Sequence, residues 1–307
     1  MFCLVLGGAG FIGSHVVEAL LAAGHRVRVF EHPAGNLGNL SRVAERIEIR
    51  RGDFTRPAEL APALDGVELV VHLVGTVAPA SSNRDPCYDI ESNLKATVAL
   101  LEMAVDKRVR KVVFASSGGT VYGIPESLPL TEESPTHPLS SYGIVKLAIE
   151  KYLHLFHHLY GLDYTVLRIA NPYGERQNPA GEQGAVAVFL GRIRERRPLE
   201  IWGDGGVARD YLYIGDLARA FRAACEISRP EKIFNIGSGQ PRTLRQLVEE
   251  LRRVTGFPVA VNYHPARACD VPVNYLDCSR TARLLGWRAE IDFAEGLRRT
   301  WEWVQGL

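Results

Sequence analysis

No stretch of the 307-residue chain stays apolar for the roughly 20 residues a helix needs to cross a bilayer. A membrane-spanning helix is therefore excluded. Net charge is also nearly absent, because 36 basic residues face 35 acidic ones and leave a formal charge of +1. With no overall field to draw the chain to nucleic acid or an anionic membrane, neither is an expected partner. Any anion it binds must be held by a local site. The five cysteines, Cys3, Cys87, Cys225, Cys269 and Cys278, are odd in number, scattered and without Cys-x-x-Cys spacing. That pattern argues against a disulfide framework and a zinc site, and makes a reducing cytoplasm the expected compartment. The opening Met1–Leu6 lacks the basic start and cleavage region of a secretory signal, so these residues are expected to belong to the fold. Internal repeats, low-complexity tracts and flexible linkers are absent as well. A hydrophobic fraction of 46% is enough for a large core.

Short apolar runs alternate with helix-like stretches through the first half: Cys3 to Leu6, Arg26 to Phe30, Ile47 to Arg50, Leu69 to Leu73, Val112 to Ala115, and Tyr164 to Leu167. Strands alternating with helical patterns predict an α/β fold with a parallel, doubly wound sheet. Between the first two runs, Phe11, Ile12, Val16, Val17, Leu20 and Leu21 recur at helical spacing, and Gly24 closes the segment. After about residue 170 the pattern breaks into shorter elements, with Asn171-Pro172-Tyr173-Gly174 and Gly203-Asp204-Gly205-Gly206 as punctuation. The expected division is a dinucleotide-binding domain over 1–170, later elements near 207–237 interleaved with it, and a smaller α/β lobe over 171–307.

Gly7, Gly10 and Gly13 follow the first strand and open the first helix. That spacing gives a tight turn, a backbone close enough to touch a pyrophosphate, and close helix-to-sheet packing. The helix N-terminus, with Phe11 and Ile12, points its free amides at the phosphates. Glu31 ends the second strand, where a carboxylate accepts hydrogen bonds from ribose hydroxyls and repels a 2′-phosphate. The expected cofactor is NAD rather than NADP. Asp53, after the third strand, has two readings: a contact to the adenine amino group, or an aspartate beginning the next helix.

Tyr142 and Lys146 lie four residues apart in a helical stretch that continues through Leu147, Ile149, Tyr152 and Leu153, so both side chains reach one side. A free tyrosine, with a pKa of about 10, is a poor base at neutral pH unless positive charge stabilises its phenolate. Lys146 and an oxidised nicotinamide would supply that charge.

Taken together, these residues resemble the extended short-chain dehydrogenase/reductase family and, within it, the nucleotide-sugar epimerases of the UDP-galactose (UDP-glucose) 4-epimerase kind. The resemblance runs over nearly the whole chain. It is carried by Gly-Gly-Ala-Gly-Phe-Ile-Gly-Ser at 7–14, Ser-Ser-Gly-Gly-Thr-Val-Tyr-Gly at 116–123, the Tyr142/Lys146 pair, Leu-Arg-Ile-Ala-Asn-Pro-Tyr-Gly at 167–174, Arg-Asp-Tyr at 209–211 and Phe-Asn-Ile-Gly-Ser-Gly at 234–239. It implies a Rossmann-like domain with NAD. Asp53 and Phe54 would then flank the adenine, Leu73, Val74 and Gly75 would line the cofactor cleft, and Ser116 would join them. Asn93 would support the active-site helix, and Lys146 would also bind the nicotinamide ribose. The family usually carries a serine or threonine three residues before the valine of Val-Tyr-Gly; here Gly118 stands there, with Ser117 before it. Ser117 is the expected catalytic hydroxyl and Thr120 the reserve; the simpler role for either is satisfying backbone groups at a strand end.

On the substrate side, guanidinium offers paired donors to phosphate, which favours Arg209 and Arg267 for a diphosphate. The resemblance further implies UDP contacts from Asn171, Arg209, Tyr211, Arg267 and Asp270, and it puts Asn274 where side-chain bulk governs an N-acetyl group. The expected activity is 4-epimerisation of a UDP-hexose or UDP-N-acetylhexosamine through a 4-keto sugar, TDP being the alternative nucleotide. A nucleotide-sugar dehydratase or reductase is the alternative enzyme and a non-catalytic dinucleotide sensor the alternative class. The related dehydratases carry Thr-Asp-Glu where this chain has Gly118-Gly119-Thr120. The resemblance also implies a homodimer through the helices that include 93–106 and 142–160.

Overall fold

The computed structural model describes residues 1–77, 79, 81–181, 183–266 and 271–307. Six parallel strands follow the six apolar runs: β1 (Phe2–Leu6), β2 (Arg26–Glu31), β3 (Ile47–Arg51), β4 (Leu69–His72), β5 (Lys111–Ser117) and β6 (Asp163–Ile169). Each crossover is helical. Helix α1 (Phe11–Ala22) joins β1 to β2, and the short α2 (Pro57–Leu60) lies between β3 and β4. Beyond β4, α3 (Pro86–Asp89) runs through a π-helical turn, Ile90–Lys95, into α4 (Ala96–Asp106), and α5 (Ser141–Tyr160) joins β5 to β6.

After β6 the chain builds β7 (Asn171–Tyr173), α6 (Ala185–Arg194), β8 (Leu199–Trp202) and β9 (Ala208–Tyr213). It then returns to the first sheet with α7 (Ile214–Glu226), which packs on α1, and β10 (Ile233–Ile236), which pairs in parallel with β6. The remaining elements are β11 (Pro241–Thr243), α8 (Leu244–Thr255), β12 (Val261–His264), β13 (Val273–Asn274), α9 (Ser279–Leu285) and α10 (Phe293–Gln305). A small sheet groups β7, β9, β11 and β13, and β8 pairs with β12.

The large sheet has seven strands in the order β10-β6-β5-β4-β1-β2-β3. It is a Rossmann-like α/β fold. Both faces are covered, as an all-parallel sheet requires. Along β1, Cys3 and Val5 face the layer of α1 and α7, while Phe2, Leu4 and Leu6 face the layer of α4 and α5. Strand order reverses between β1 and β4, and ligands of doubly wound sheets bind at the carboxyl ends of the strands flanking such a reversal. Here those ends are Gly7 and Leu73.

Candidate active site

The glycine loop occupies that crevice. Gly7 sits at φ +77°, and a side chain on it would meet Leu73 and Val74 at 3.6 Å. A Cβ on Gly13 would stand 2.1 Å from the Gly7 carbonyl oxygen, so the first turn of α1 can press onto the loop only with glycine there. Across the crevice Gly75 has open space where its Cβ would be. No side chain caps α1 at Gly10, and no acidic residue stands in its first turn. The first-turn amides, Phe11 and Ile12 among them, are left for an anion. An open glycine cradle, uncapped amides and a carboxylate at the end of β2 fit NAD.

Glu31 accepts a hydrogen bond from the Ala9 amide at 3.0 Å, and the Ala9 carbonyl accepts one from Asn39 at 2.9 Å. The carboxylate is thereby fixed beside the glycine loop. Asp53 accepts from both the amide and the hydroxyl of Thr55, at 2.9 and 2.7 Å, and these bonds hold its carboxyl below the usual range. It forms a local turn and does not cap α2, whose N-cap is Arg56. Phe54 is buried and lies 5.1 Å from the ring of His72, which in turn packs at a tilt against Phe114 at 5.3 Å. Burial pushes His72 down to about 3, which keeps it a neutral wall of the site.

Asn93 lies in the π-helical turn, a distortion that recurs at functional sites. Its side chain accepts from the Thr76 amide at 3.0 Å and donates to the Thr76 hydroxyl at 2.7 Å, tying down the segment that follows Gly75. It also donates to Asp89 at 2.9 Å, and the other Asp89 oxygen accepts from the Ser141 hydroxyl at 2.7 Å. One chain of hydrogen bonds thus runs from the cofactor crevice to the first turn of α5.

Helix α5 is capped by Ser140, whose side chain accepts from the Gly143 amide. Lys146 projects from it toward β5, with its ammonium 5.5 Å from the centre of the Tyr142 ring. Lys146 donates to the Ala115 carbonyl at 2.9 Å and lies 4.7 Å over the Phe114 ring. Burial pushes Lys146 down to about 8, against the raising pull of Asp89 and Glu150. Tyr142 moves the other way, to about 12, through burial and the negative charge of Asp89. At neutral pH the pair is a phenol beside an ammonium. It is poised for proton transfer only when further positive charge enters the crevice.

Beneath the pair lies a buried network. Arg168 on β6 forms an ion pair with Glu150 at 2.6 Å, their side chains only 3% and 1% exposed. Glu150 also accepts from the Ser116 hydroxyl at 2.5 Å, so Ser116 braces β5 against α5. The Arg168 guanidinium covers the ring of Tyr122 at 4.9 Å, and the Tyr122 hydroxyl donates to Asn235 at 2.7 Å. Ser-Ser-Gly-Gly-Thr-Val-Tyr-Gly and Phe-Asn-Ile-Gly-Ser-Gly therefore meet in space. Glu150 and Asp89 carry much of this frame, yet sequence reasoning passed over both. Glu150 could have been found, since it continues the Tyr142, Lys146 spacing by one more helical turn; Asp89 carries no such signal.

Ser117, at the end of β5, is half-buried, and its carbonyl accepts from the amides of Thr120 and Val121 at 3.3 and 3.1 Å. Thr120 holds its hydroxyl buried without a hydrogen-bond partner among the described residues. Asn171 donates to the Asp210 carbonyl at 3.3 Å. Arg209 donates to the carbonyls of Ala208 and Val271 at 2.9 and 2.6 Å. Tyr211, expected to touch UDP, is packed in the core with its ring 5.7 Å from Phe293, because β9 is covered by α10 on that side. The unforeseen member of this motif is Asp210. Fully buried, it accepts from the amide and hydroxyl of Ser238 and from the amides of Gly239 and Leu276, tying two other segments to β9 at one carboxylate. Arg267 and Asp270 lie outside the described residues.

Residues 3–237 match the model of the NAD dependent epimerase/dehydratase family. The UDP-glucose 4-epimerase of Mycolicibacterium smegmatis is 37% identical over 310 residues, covering 99% of both chains. Among solved structures, the UDP-glucose 4-epimerase of Thermotoga maritima, crystallised with UDP-glucose, superposes with a TM-score of 0.94 at 38% identity, covering 100% of this chain and 99% of that one. The Thermus thermophilus UDP-glucose 4-epimerase complexed with NAD gives 0.92 at 36% identity, again over 100% and 99%. With the glycine cradle, the Tyr142–Lys146 pair and the reversed seven-stranded sheet in one chain, these likenesses identify it as a member of the NAD-dependent epimerase/dehydratase family, the extended short-chain dehydrogenases/reductases.

Proposed function

We propose that this chain is a UDP-hexose 4-epimerase that keeps its NAD through the reaction. The observation that carries the proposal is Tyr142 and Lys146 set side by side on α5 against the end of β5, joined by the Asn93–Asp89–Ser141 hydrogen bonds to the crevice between β1 and β4, in a chain that matches UDP-glucose 4-epimerases along its whole length. When bound, NAD would supply a two-electron acceptor and donor for the sugar carbinol carbon. Tyr142 takes the proton of the carbinol oxygen and later returns it. Lys146 holds the charge that makes a phenolate attainable. Gly7, Gly10, Gly13 and Glu31 are assigned to NAD, with Asp53, Phe54, Leu73, Val74, Gly75, Asn93 and Ser116 around it. Asn171, Arg209, Arg267 and Asp270 are assigned to the nucleotide of the substrate, UDP or TDP.

Dehydration is disfavoured by the carboxylates. The two that act on Tyr142 and Lys146, Asp89 and Glu150, are both engaged, one by Asn93 and Ser141, the other by Arg168 and Ser116. Loss of water needs an additional acid and base, and none stands at 118–120. Incubating the purified protein with UDP-glucose, UDP-galactose and their N-acetyl forms, without added NAD, should interconvert at least one pair with no change in mass. A product lighter by one water would point to a dehydratase, and failure with every pair would reject the epimerase.

The same proposal divides the chain into an NAD-binding part, 1–170 with α7 and β10, and a substrate lobe from the rest. It takes place in the cytoplasm, in keeping with the free thiols of the four described cysteines; among the described residues no helix is long and apolar enough to cross a membrane. It includes a homodimer. Ile144, Tyr152, Leu155 and Leu159 form an exposed apolar stripe along α5, with Leu159 56% exposed. Such a contiguous patch is unusual on a monomer and marks a protein interface. Light scattering should give twice the chain mass for the native protein and the chain mass for Leu155→Arg/Leu159→Arg; a native monomer at micromolar concentration would remove the dimer.

A further inference from the structure

Helix α1 carries Phe11, His15 and Glu18 along one face, at the steps of four and three residues that stack side chains on a helix. His15 Nδ1 donates to the Phe11 carbonyl at 2.9 Å. One turn further on, Glu18 accepts from Arg176 Nη2 at 2.6 Å, in an ion pair whose arginine side chain is 14% exposed and whose glutamate is 32% exposed. Arg176 stands in the turn after β7, within the part assigned to the substrate lobe. Strand β7 follows directly on β6, which lies on the β4 side of the strand-order reversal, whereas α1 follows β1 on the other side. The ion pair therefore bridges the two sides between which the cofactor crevice opens, and it does so on the helix whose first-turn amides are left for an anion.

The residues on either side of Arg176 hold the turn to its own lobe. Both oxygens of Glu175 lie within reach of the Tyr213 hydroxyl, at 2.8 and 2.9 Å, and Tyr213 ends β9; Gln177 donates to the Pro172 carbonyl at 3.2 Å. Successive residues thus reach opposite ways, Glu175 into the lobe and Arg176 to α1. The arrangement is costly. Arg176 sits at φ +68°, in the left-handed region that side chains other than glycine's enter only with strain. Arg176 Nη1 and Gln177 Oε1 are also buried without a hydrogen-bond partner among the described residues. Strain of this kind persists only where the surrounding structure fixes it, and it collects at functional sites. A glycine at 176 would relax the backbone and remove the unpaired Nη1. What arginine adds is the bond to Glu18.

We propose that Arg176 and Glu18 are positioning residues that clasp the substrate lobe to the NAD-binding helix, so that NAD leaves at an appreciable rate only when this ion pair opens. The inference rests on the reading of the protein as an epimerase with resident NAD, and it assigns part of that residence to two side chains. The clasp makes and breaks no covalent bond. Its effect falls on the release of NAD, because opening the crevice first costs a partly buried, charge-assisted hydrogen bond.

The test follows NAD itself. Native protein, Arg176→Gly, Arg176→Lys, Glu18→Ala and the double variant Glu18→Ala/Arg176→Gly are desalted into NAD-free buffer, bound NAD is quantified over time after denaturation, and melting curves are taken with NAD in excess. Arg176→Gly and Glu18→Ala should each release NAD about tenfold faster or more, the scale for losing one hydrogen bond between charged groups. Arg176→Lys, which keeps the charge, should retain NAD much as native protein does. The double variant should release it no faster than the faster single variant, because both changes remove the same bond. With NAD in excess, Arg176→Gly should keep kcat and KM within about threefold of native and Tm within about 3 °C. NAD release from Arg176→Gly within twofold of native overturns the proposal. So does faster release accompanied by a large fall in Tm in excess NAD and no rescue by lysine, which indicates a merely structural role. Native protein that purifies without NAD and turns over only when NAD is supplied contradicts the resident-cofactor reading itself, an outcome distinct from native and Arg176→Gly proteins that hold NAD equally well.

Discussion

Tyr142→Phe is expected to lower kcat for UDP-hexose interconversion by roughly 10³-fold, within the range for loss of a general base, and to leave KM within about threefold. Phenylalanine keeps the ring in its place on α5 and removes only the proton-carrying oxygen. The loss should be large because nothing nearby can substitute. His72 is a neutral wall, pushed down to about 3 by burial, Asp89 is engaged by Asn93 and Ser141, and Glu150 by Arg168. With Tyr142 pushed up to about 12 in the protein alone, only on the order of one molecule in 10⁵ carries a phenolate at neutral pH. The rate therefore depends on positive charge brought close to the phenol. Lys146 provides part of it below about 8, where its amine is protonated. Stopped-flow kinetics on native and Tyr142→Phe protein, with bound nucleotide quantified after denaturation, separates lost chemistry from lost cofactor. A Tyr142→Phe enzyme retaining a tenth of native kcat would mean that another group moves the proton.

Glu150→Ala should destabilise the fold by about 3–5 kcal/mol, the scale for leaving one member of a buried ion pair without its partner. For a chain of this length that corresponds to a fall in Tm on the order of 10 °C. The Arg168 guanidinium, its side chain 3% exposed, would lose its carboxylate partner, and Ser116 would lose its acceptor. The effect is one of stranding a charge, so replacing both partners by Glu150→Leu with Arg168→Met should recover much of the loss. Thermal melts of the single and double variants decide the matter. If Glu150→Ala melts within about 2 °C of native protein, the network contributes far less than its burial implies.

The sheet could be read from the sequence because a parallel strand covered on both faces is a short unbroken apolar run, and the six runs end within a residue or two of the strands they became. Gly7, Gly10 and Gly13 were equally legible, since their spacing serves a backbone geometry in one continuous segment. Legibility failed where a residue's role comes from distant partners. Gly118 reads as a defect until Asn274, 156 residues later, is seen clamping its carbonyl and Leu276 filling its side-chain space. Asp89 has no local signal because its work is to join Asn93 to Ser141 across two helices. Arg-Asp-Tyr at 209–211 stands out in the sequence as a motif, but alternation along β9 turns Tyr211 into the core and makes Asp210 the residue that organises the loops around it.

In the proposed reaction one hydride leaves the sugar and returns to the same carbon while NAD stays bound. UDP-glucose deuterated at C4, incubated with the purified protein and no added NAD, tests it most directly by mass spectrometry and NMR of the products. The expected product is UDP-galactose of unchanged mass with deuterium retained at C4, the protein's own NAD sufficing for many turnovers. UDP-galactose formed with C4 deuterium lost to solvent, or turnover only with NAD supplied in excess, would contradict it.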